Sequence, residues 1–98
     1  MILRIFQVTT HPGKERAFAE FFHRTAIPLM TSIDGCIEVL PGAARPDHPQ
    51  EFAFVMVWRD LEALKAFVGE DYESPHIAAE EAELVLRRRI AHYDLVAP

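Results

Sequence analysis

The chain opens on Ile2-Leu3-Arg4-Ile5-Phe6-Gln7-Val8, a run rich in β-branched and aromatic residues that stops at Thr10-His11-Pro12-Gly13. A run of this kind closed by a turn cluster predicts a strand over residues 2 to 9. From Lys14 the repeating positions become Phe18, Phe21, Phe22, Thr25 and Leu29, the spacing of one helix face. Pro28 removes a backbone donor within that helix, which should therefore kink or restart there. Asp34-Gly35 ends it. Cys36 to Leu40 reads as a short second strand closed by Pro41-Gly42, and the stretch to Gln50, with Pro46 and Pro49, as an exposed connection. Glu51 to Trp58 is the third strand. Asp60 is a good N-cap for a helix carrying Leu61, Leu64, Phe67 and Val68, and Gly69 ends it. Ser74-Pro75 signals a further helix start, with Ile77, Ala78, Ala82 and Val85 as its buried stripe. The chain becomes extended near Arg87 to Arg89, and Ile90 to Val96 reads as the fourth strand.

Strand, helix, strand, strand, helix pair, strand is the split-βαβ order of a ferredoxin-like α+β fold with a four-stranded antiparallel sheet. The 98 residues form one such domain, 1–98. Strands one and three, the most apolar segments, are then central. An antiparallel sheet with helices on one side should alternate apolar and polar positions. Strand three does not, because Phe52, Phe54, Met56 and Trp58 point one way while Ala53, Val55 and Val57 point the other. Strand one likewise sets Ile2, Phe6 and Val8 on one face and Leu3 and Ile5 on the opposite face. Helices cover one face of this sheet, and an exposed second apolar face of several hundred Å² is rare in soluble monomers. The expectation is a homodimer with interior cavities, built like a dimeric α+β barrel.

Charge narrows the function classes. The formal net charge is −5, from fifteen acidic and ten basic residues. The one basic run, Arg87-Arg88-Arg89, reads as a solvated helix end, so neither nucleic acid nor an anionic membrane is an expected partner. The opening run, broken by Arg4 and Gln7, is too short for a signal core or a membrane span. Cys36 is the single cysteine, so it forms no internal disulfide and reads as a small buried hydrophobe. A cytoplasmic protein is the expectation. His11, His23, His48 and His92 lack the spacing of a metal site, and no nucleotide-binding glycine loop or nucleophilic triad is present. No metal or cofactor is expected.

Several segments, in order, resemble the dimeric α+β barrel superfamily and, within it, the antibiotic biosynthesis monooxygenase family. They are His11-Pro12-Gly13-Lys14-Glu15, Gly35-Cys36, Glu51-Phe52, Val57-Trp58-Arg59-Asp60-Leu61-Glu62-Ala63, Ser74-Pro75-His76 and His92-Tyr93-Asp94-Leu95-Val96. The resemblance implies oxygenation of a small electron-rich aromatic (a phenol, quinol or anthrone) without metal or flavin. It equally implies a second possibility, a non-catalytic binding or interaction dimer of the same fold. Haem degradation, also found in the family, would ask for an Asn and a Trp roughly where Gln7 and Phe67 stand, and only His76 fits.

On the oxygenase reading the catalytic candidates are His76, Trp58 and Gln7. His76 is a proton acceptor suited by an imidazole that titrates near neutrality, or else an exposed residue near a helix start. Trp58 is a core or interface anchor, a cavity wall whose indole N–H meets a substrate oxygen, or both. Gln7, the odd amide in an apolar strand, either bonds across the sheet or faces the cavity. Phe54, Met56 and Phe67 are candidate cavity walls. Tyr72 and Tyr93 could offer phenolic hydrogen bonds to an aromatic ligand, although packing roles suit both.

Overall fold

The computed structural model describes residues 1–75, 77 and 79–98. Among them the order is β1 (Ile2–Thr10), α1 (Glu15–Phe21), a π-helical turn (Phe22–Ala26), α2 (Ile27–Ser32), β2 (Cys36–Gly42), β3 (Glu51–Trp58), α3 (Leu61–Val68), α4 (Ala79–Ala82) and β4 (Val85–Asp94). The four strands form one antiparallel sheet in the order β2-β3-β1-β4, the ferredoxin-like arrangement with β1 and β3 central. No helix among the described residues is long and apolar enough to cross a membrane.

The register sets which side chains meet. Ile2 pairs with Trp58, Arg4 with Met56, Phe6 with Phe54 and Val8 with Phe52. Even-numbered positions of both strands therefore share the helix side of the sheet, because side chains alternate along a strand. There Phe18 and Phe22 close on Phe52 and Phe54, with ring centroids 4.7 Å apart for Phe18–Phe52 and for Phe22–Phe54. Trp58, Leu64 and Met30 complete the buried core. Leu3, Ile5, Val55 and Val57 lie on the opposite face.

Proline explains two departures from regularity. Pro28 cannot donate to a carbonyl one turn back, and the chain widens before it into the π turn, where Ile27 N–H bonds Phe22 O. Helix α2 then restarts with proline in its first turn, a position that tolerates the missing donor. β2 runs on through Pro41 and Gly42, beyond the expected end at Leu40. It can do so because β2 is an edge strand, where a proline need not break a ladder.

The C-terminal third departs furthest from the sequence reading. β4 begins at Val85, five residues before the expected Ile90, and ends at Asp94 rather than Val96. It pairs along the full length of β1, from Ile2–Asp94 to Thr10–Val85, with a bulge between Thr9 and Thr10. A central strand left unpaired would strand its backbone groups, and this demand takes Val85 from the expected helix. α4 is correspondingly short. Ser74 does not start it: the Ser74 hydroxyl donates to Asp71 Oδ2 at 2.7 Å within a turn, and Ile77 is non-helical and exposed. Ala78 and His76 lie outside the described residues. Arg87 to Arg89 belong to a strand, not a helix end: Arg87 and Arg89 share the open face with Gln7 and Thr9, and Arg88 turns inward to Glu81.

Two local signals act as expected. Asp60 caps α3, accepting from Ala63 N–H at 2.8 Å. Gly35 ends the helical segment with φ +88°, and a Cβ there would stand 2.5 Å from the Ala63 Cβ. Gly13 has φ +87° but open space around it. Gly35→Ala should therefore cost about 2–4 kcal/mol, left-handed backbone strain plus overpacking. Gly13→Ala carries only the strain term. Thermal unfolding checks this: the Gly35 variant should melt roughly 10 °C or more below the wild type, and the Gly13 variant much closer to it.

Candidate functional site

The helix side of the sheet is not filled everywhere. A cavity of about 100 Å³ lies between the sheet and the helices, walled by Phe6, Phe54 and Met56 from below and by Phe21, Ala26, Met30 and Phe67 from above. Thr25 and Leu29, both exposed, stand at its mouth. The π turn and the restarted α2 supply this rim, so Pro28 acts on the site through the backbone. Single π turns recur at functional sites because they displace side chains from the α-helical rows.

Two polar side chains enter the same wall, Arg4 and Glu81. Arg4 is 3 % exposed. Its Nη1 donates to the Tyr72 carbonyl at 2.8 Å and to His92 Nε2 at 2.8 Å. Guanidinium only donates, so His92 must accept at Nε2 and carry its proton on Nδ1. The Tyr72 ring meets the His92 ring edge-on at 5.2 Å, and Lys65 Nζ lies 5.9 Å from the Tyr72 ring centre. Burial, then the Arg4 charge, pulls the His92 pKa below the usual imidazole range, against a smaller opposing pull from Glu73. Glu81 is held by Arg88, with Nη2 at 3.3 Å.

The structure brings Phe54, Met56 and Phe67 together around this cavity. Trp58 is fully buried and stacks on Phe67, with centroids 5.8 Å apart and planes at 22°. Its Nε1 has no hydrogen-bond partner. Tyr72 contributes its carbonyl to Arg4. Gln7 does not join them: an odd-numbered position opposite Ala53 and Arg89, it is exposed on the other face. There it lines a separate groove of about 460 Å³ with Thr9, His48, Arg87 and Arg89. Tyr93, opposite Leu3, also stands on that face and is half exposed. The sheet thus separates Gln7 and Tyr93 from the aromatic cavity. His76 lies outside the described residues. Among these residues no group of three or more His, Cys, Asp or Glu side chains is placed to hold a metal ion.

Arg4 and Glu81 were not among the candidates. Arg4 reads in sequence as a polar interruption of a strand, yet it shares the parity of Phe6 and Val8, a signal that its side chain turns inward. Glu81 sits in an acidic run, Glu80-Glu81-Ala82-Glu83, and nothing local marks it as the buried member.

The sequence model of the antibiotic biosynthesis monooxygenase family matches residues 1–79. The chain belongs to that family. No curated protein matches it significantly in sequence. Among solved structures, this family member resembles a Pseudomonas aeruginosa protein with a TM-score of 0.75 at 19% identity, covering 98% of this chain and 94% of the other. It resembles a Shewanella oneidensis protein with a TM-score of 0.75 at 23% identity, covering 94% and 87%. It also resembles a variant of SnoaB, a cofactor-independent oxygenase from Streptomyces nogalater, with a TM-score of 0.73 at 20% identity, covering 99% and 94%. At these identities the likeness concerns the fold.

The Arg4–His92 contact generates a pH prediction. Because the folded-state pKa of His92 lies below the unfolded value, the unfolded chain takes up the proton first. Stability from this group is complete above the unfolded imidazole value of about 6.5 and falls as pH drops below it. The melting temperature should decline by a few degrees from pH 7.5 to pH 5.5, and His92→Gln, whose amide oxygen can still accept from Arg4, should flatten that decline. An unchanged slope in the variant would remove His92 as its source.

Proposed function

We propose that this protein is a cofactor-independent monooxygenase that oxidises a small electron-rich aromatic, of phenol, quinol or anthrone type, with molecular oxygen. The observation that carries the reading is the cavity walled by Phe6, Phe21, Phe54, Met56 and Phe67 in a chain of this family. A mostly apolar pocket with a few convergent polar groups suits an aromatic ring bearing a hydroxyl. The chemistry asks little more of the protein. A base removes the phenolic proton, the phenolate gives an electron to oxygen, the radical pair combines at a ring carbon as a peroxide anion, and the base returns its proton to give the hydroperoxide. Loss of water then leaves a quinone. His76 is the proposed base, on the strength of its place in the Ser74-Pro75-His76 segment. Trp58 supports the Phe67 wall, and its unpartnered indole N–H offers a donor if the packing opens. The reaction belongs in the cytoplasm.

The proposal includes a homodimer formed by the open sheet face, where Leu3, Ile5, Leu40, Val55 and Val57 form an apolar field. A second copy laid on that face covers it, which a domain this small needs.

Oxygen uptake with a panel of hydroquinones and anthrones tests the activity. Turnover to a quinone is expected, and His76→Ala should lower it at least tenfold, a floor for the loss of a general base, with the melting temperature nearly unchanged. Ligand-dependent stabilisation without oxygen uptake would identify a binding protein instead. Light scattering after size exclusion should give twice the mass of 11.2 kDa. Val55→Glu, which plants a charge at the centre of the open face, should shift the protein toward the monomer by at least tenfold in dissociation constant, since burying an unpaired carboxylate costs more than about 1.4 kcal/mol.

A further inference from the structure

Arg4 is the least expected residue in the core. It lies between Ile2 and Phe6 on the inward side of a central strand, and burial alone pulls its pKa down. Nη1 uses its two hydrogens on the Tyr72 carbonyl and the neutral His92 ring, neither of which carries charge. Among the described residues no carboxylate lies within ion-pairing distance of it. Glu81, the acid in the same wall, is paired with Arg88. A buried cation without a counter-ion is costly. Nε and Nη2 make no hydrogen bond to described residues, and neither is both buried from solvent and unpartnered in the way Trp58 Nε1 is. The residue is 3 % exposed and lines the cavity, so the cavity is where a partner for these donors can enter.

We infer that Arg4 receives an anionic oxygen of the cavity's ligand, and that the ligand is a single aromatic ring bearing an ionisable phenol or carboxylate. Size supports the single ring. An apolar cavity of about 150 Å³ accommodates benzene, so about 100 Å³ with an open mouth takes at most one ring, which narrows the oxygenase reading from anthrones to its single-ring phenol and quinol members. Tyr72 and His92 fix the guanidinium from one side and leave its other edge for a charge-assisted pair. For a phenol, the pairing favours the phenolate, the form that gives its electron to oxygen. The inference deepens the oxygenase reading by naming its substrate class. Its readout is binding in the absence of oxygen, so a protein that binds without turnover would fail that reading and leave this one standing.

The test uses full-length protein, kept anaerobic, and three probes. Benzoate and benzamide have nearly the same shape and differ in charge, and 4-nitrophenol reports its own ionisation by absorbance. Benzoate should bind at least tenfold more tightly than benzamide, or the pKa of bound 4-nitrophenol should fall by about one unit, the least that an adjacent arginine does to an acid. The first result alone assigns the anion to carboxylates, the second alone to phenolates. Arg4→Met, which keeps the stem and removes the charge, should abolish whichever preference is found, and Arg4→Lys should retain part of it. If the Met variant does not fold, the wild-type probes and the Lys variant decide. Equal affinity for benzoate and benzamide with no change in the ionisation of 4-nitrophenol would overturn the inference. So would failure of every probe to bind at millimolar concentration, or a preference that survives Arg4→Met.

Discussion

Everything in this molecule depends on the antiparallel pairing of β1 with β3. Phe6 opposite Phe54, and Val8 opposite Phe52, put one parity of two adjacent strands onto one face. That face needs an apolar cover, and the phenylalanines of α1 and the π turn provide it. The other parity is left as a field of Leu3, Ile5, Val55 and Val57. A one-residue slip would exchange the two faces, and Gln7 in place of Arg4 would stand inside the core. The register therefore decides stability and chemistry together.

The cavity follows from a second, smaller constraint. Without Pro28 the segment from Glu15 to Ser32 could run as one helix, its side chains in regular rows over the sheet. The missing donor is met by a π turn, which advances Thr25 and Ala26 relative to those rows and leaves the space beneath them open. A cavity bounded by Phe21 on one side and Phe67 on the other is the result. The local departure from close packing falls where the inward strand face carries Arg4, so the least filled and the most polar parts of the core coincide. An apolar void alone would hold any small hydrophobe. A guanidinium in its wall, with one edge tied to Tyr72 and His92, distinguishes among ligands by charge.

Much of this architecture was legible in the sequence. The doubly apolar faces of strands one and three, the aromatic spacing from Phe18 to Phe22, the Asp60 cap, the glycine at position 35 and the proline at position 28 are local signals. Each constrains a few neighbouring dihedrals or one face of an element. They sufficed for the element order, the split-βαβ fold and the family resemblance, and for the grouping of Phe54, Met56 and Phe67. They failed at the C-terminus, where Val85 reads as the end of a helix stripe but begins β4. Only the unpaired edge of β1 decides between helix and strand.

The sequence by itself determined which residues could be inside; the tertiary structure decided which of them share a space. Gln7 and Arg4 are both polar residues in one apolar strand, three positions apart, and their environments in the chain are nearly alike. One ends on the open face beside Arg89, the other in the core beside His92, a contact across 88 residues of chain. Parity distinguishes the two, but only the long-range packing of the helices says which parity is enclosed. Glu81 is singled out from its acidic run by Arg88, only seven residues on, but it is the pairing of β4 with β1 that turns Arg88 inward. Periodicity is a property of neighbours in sequence. A site is a property of neighbours in space, and here those neighbours are set by strand register and by a helix that Pro28 obliged to widen.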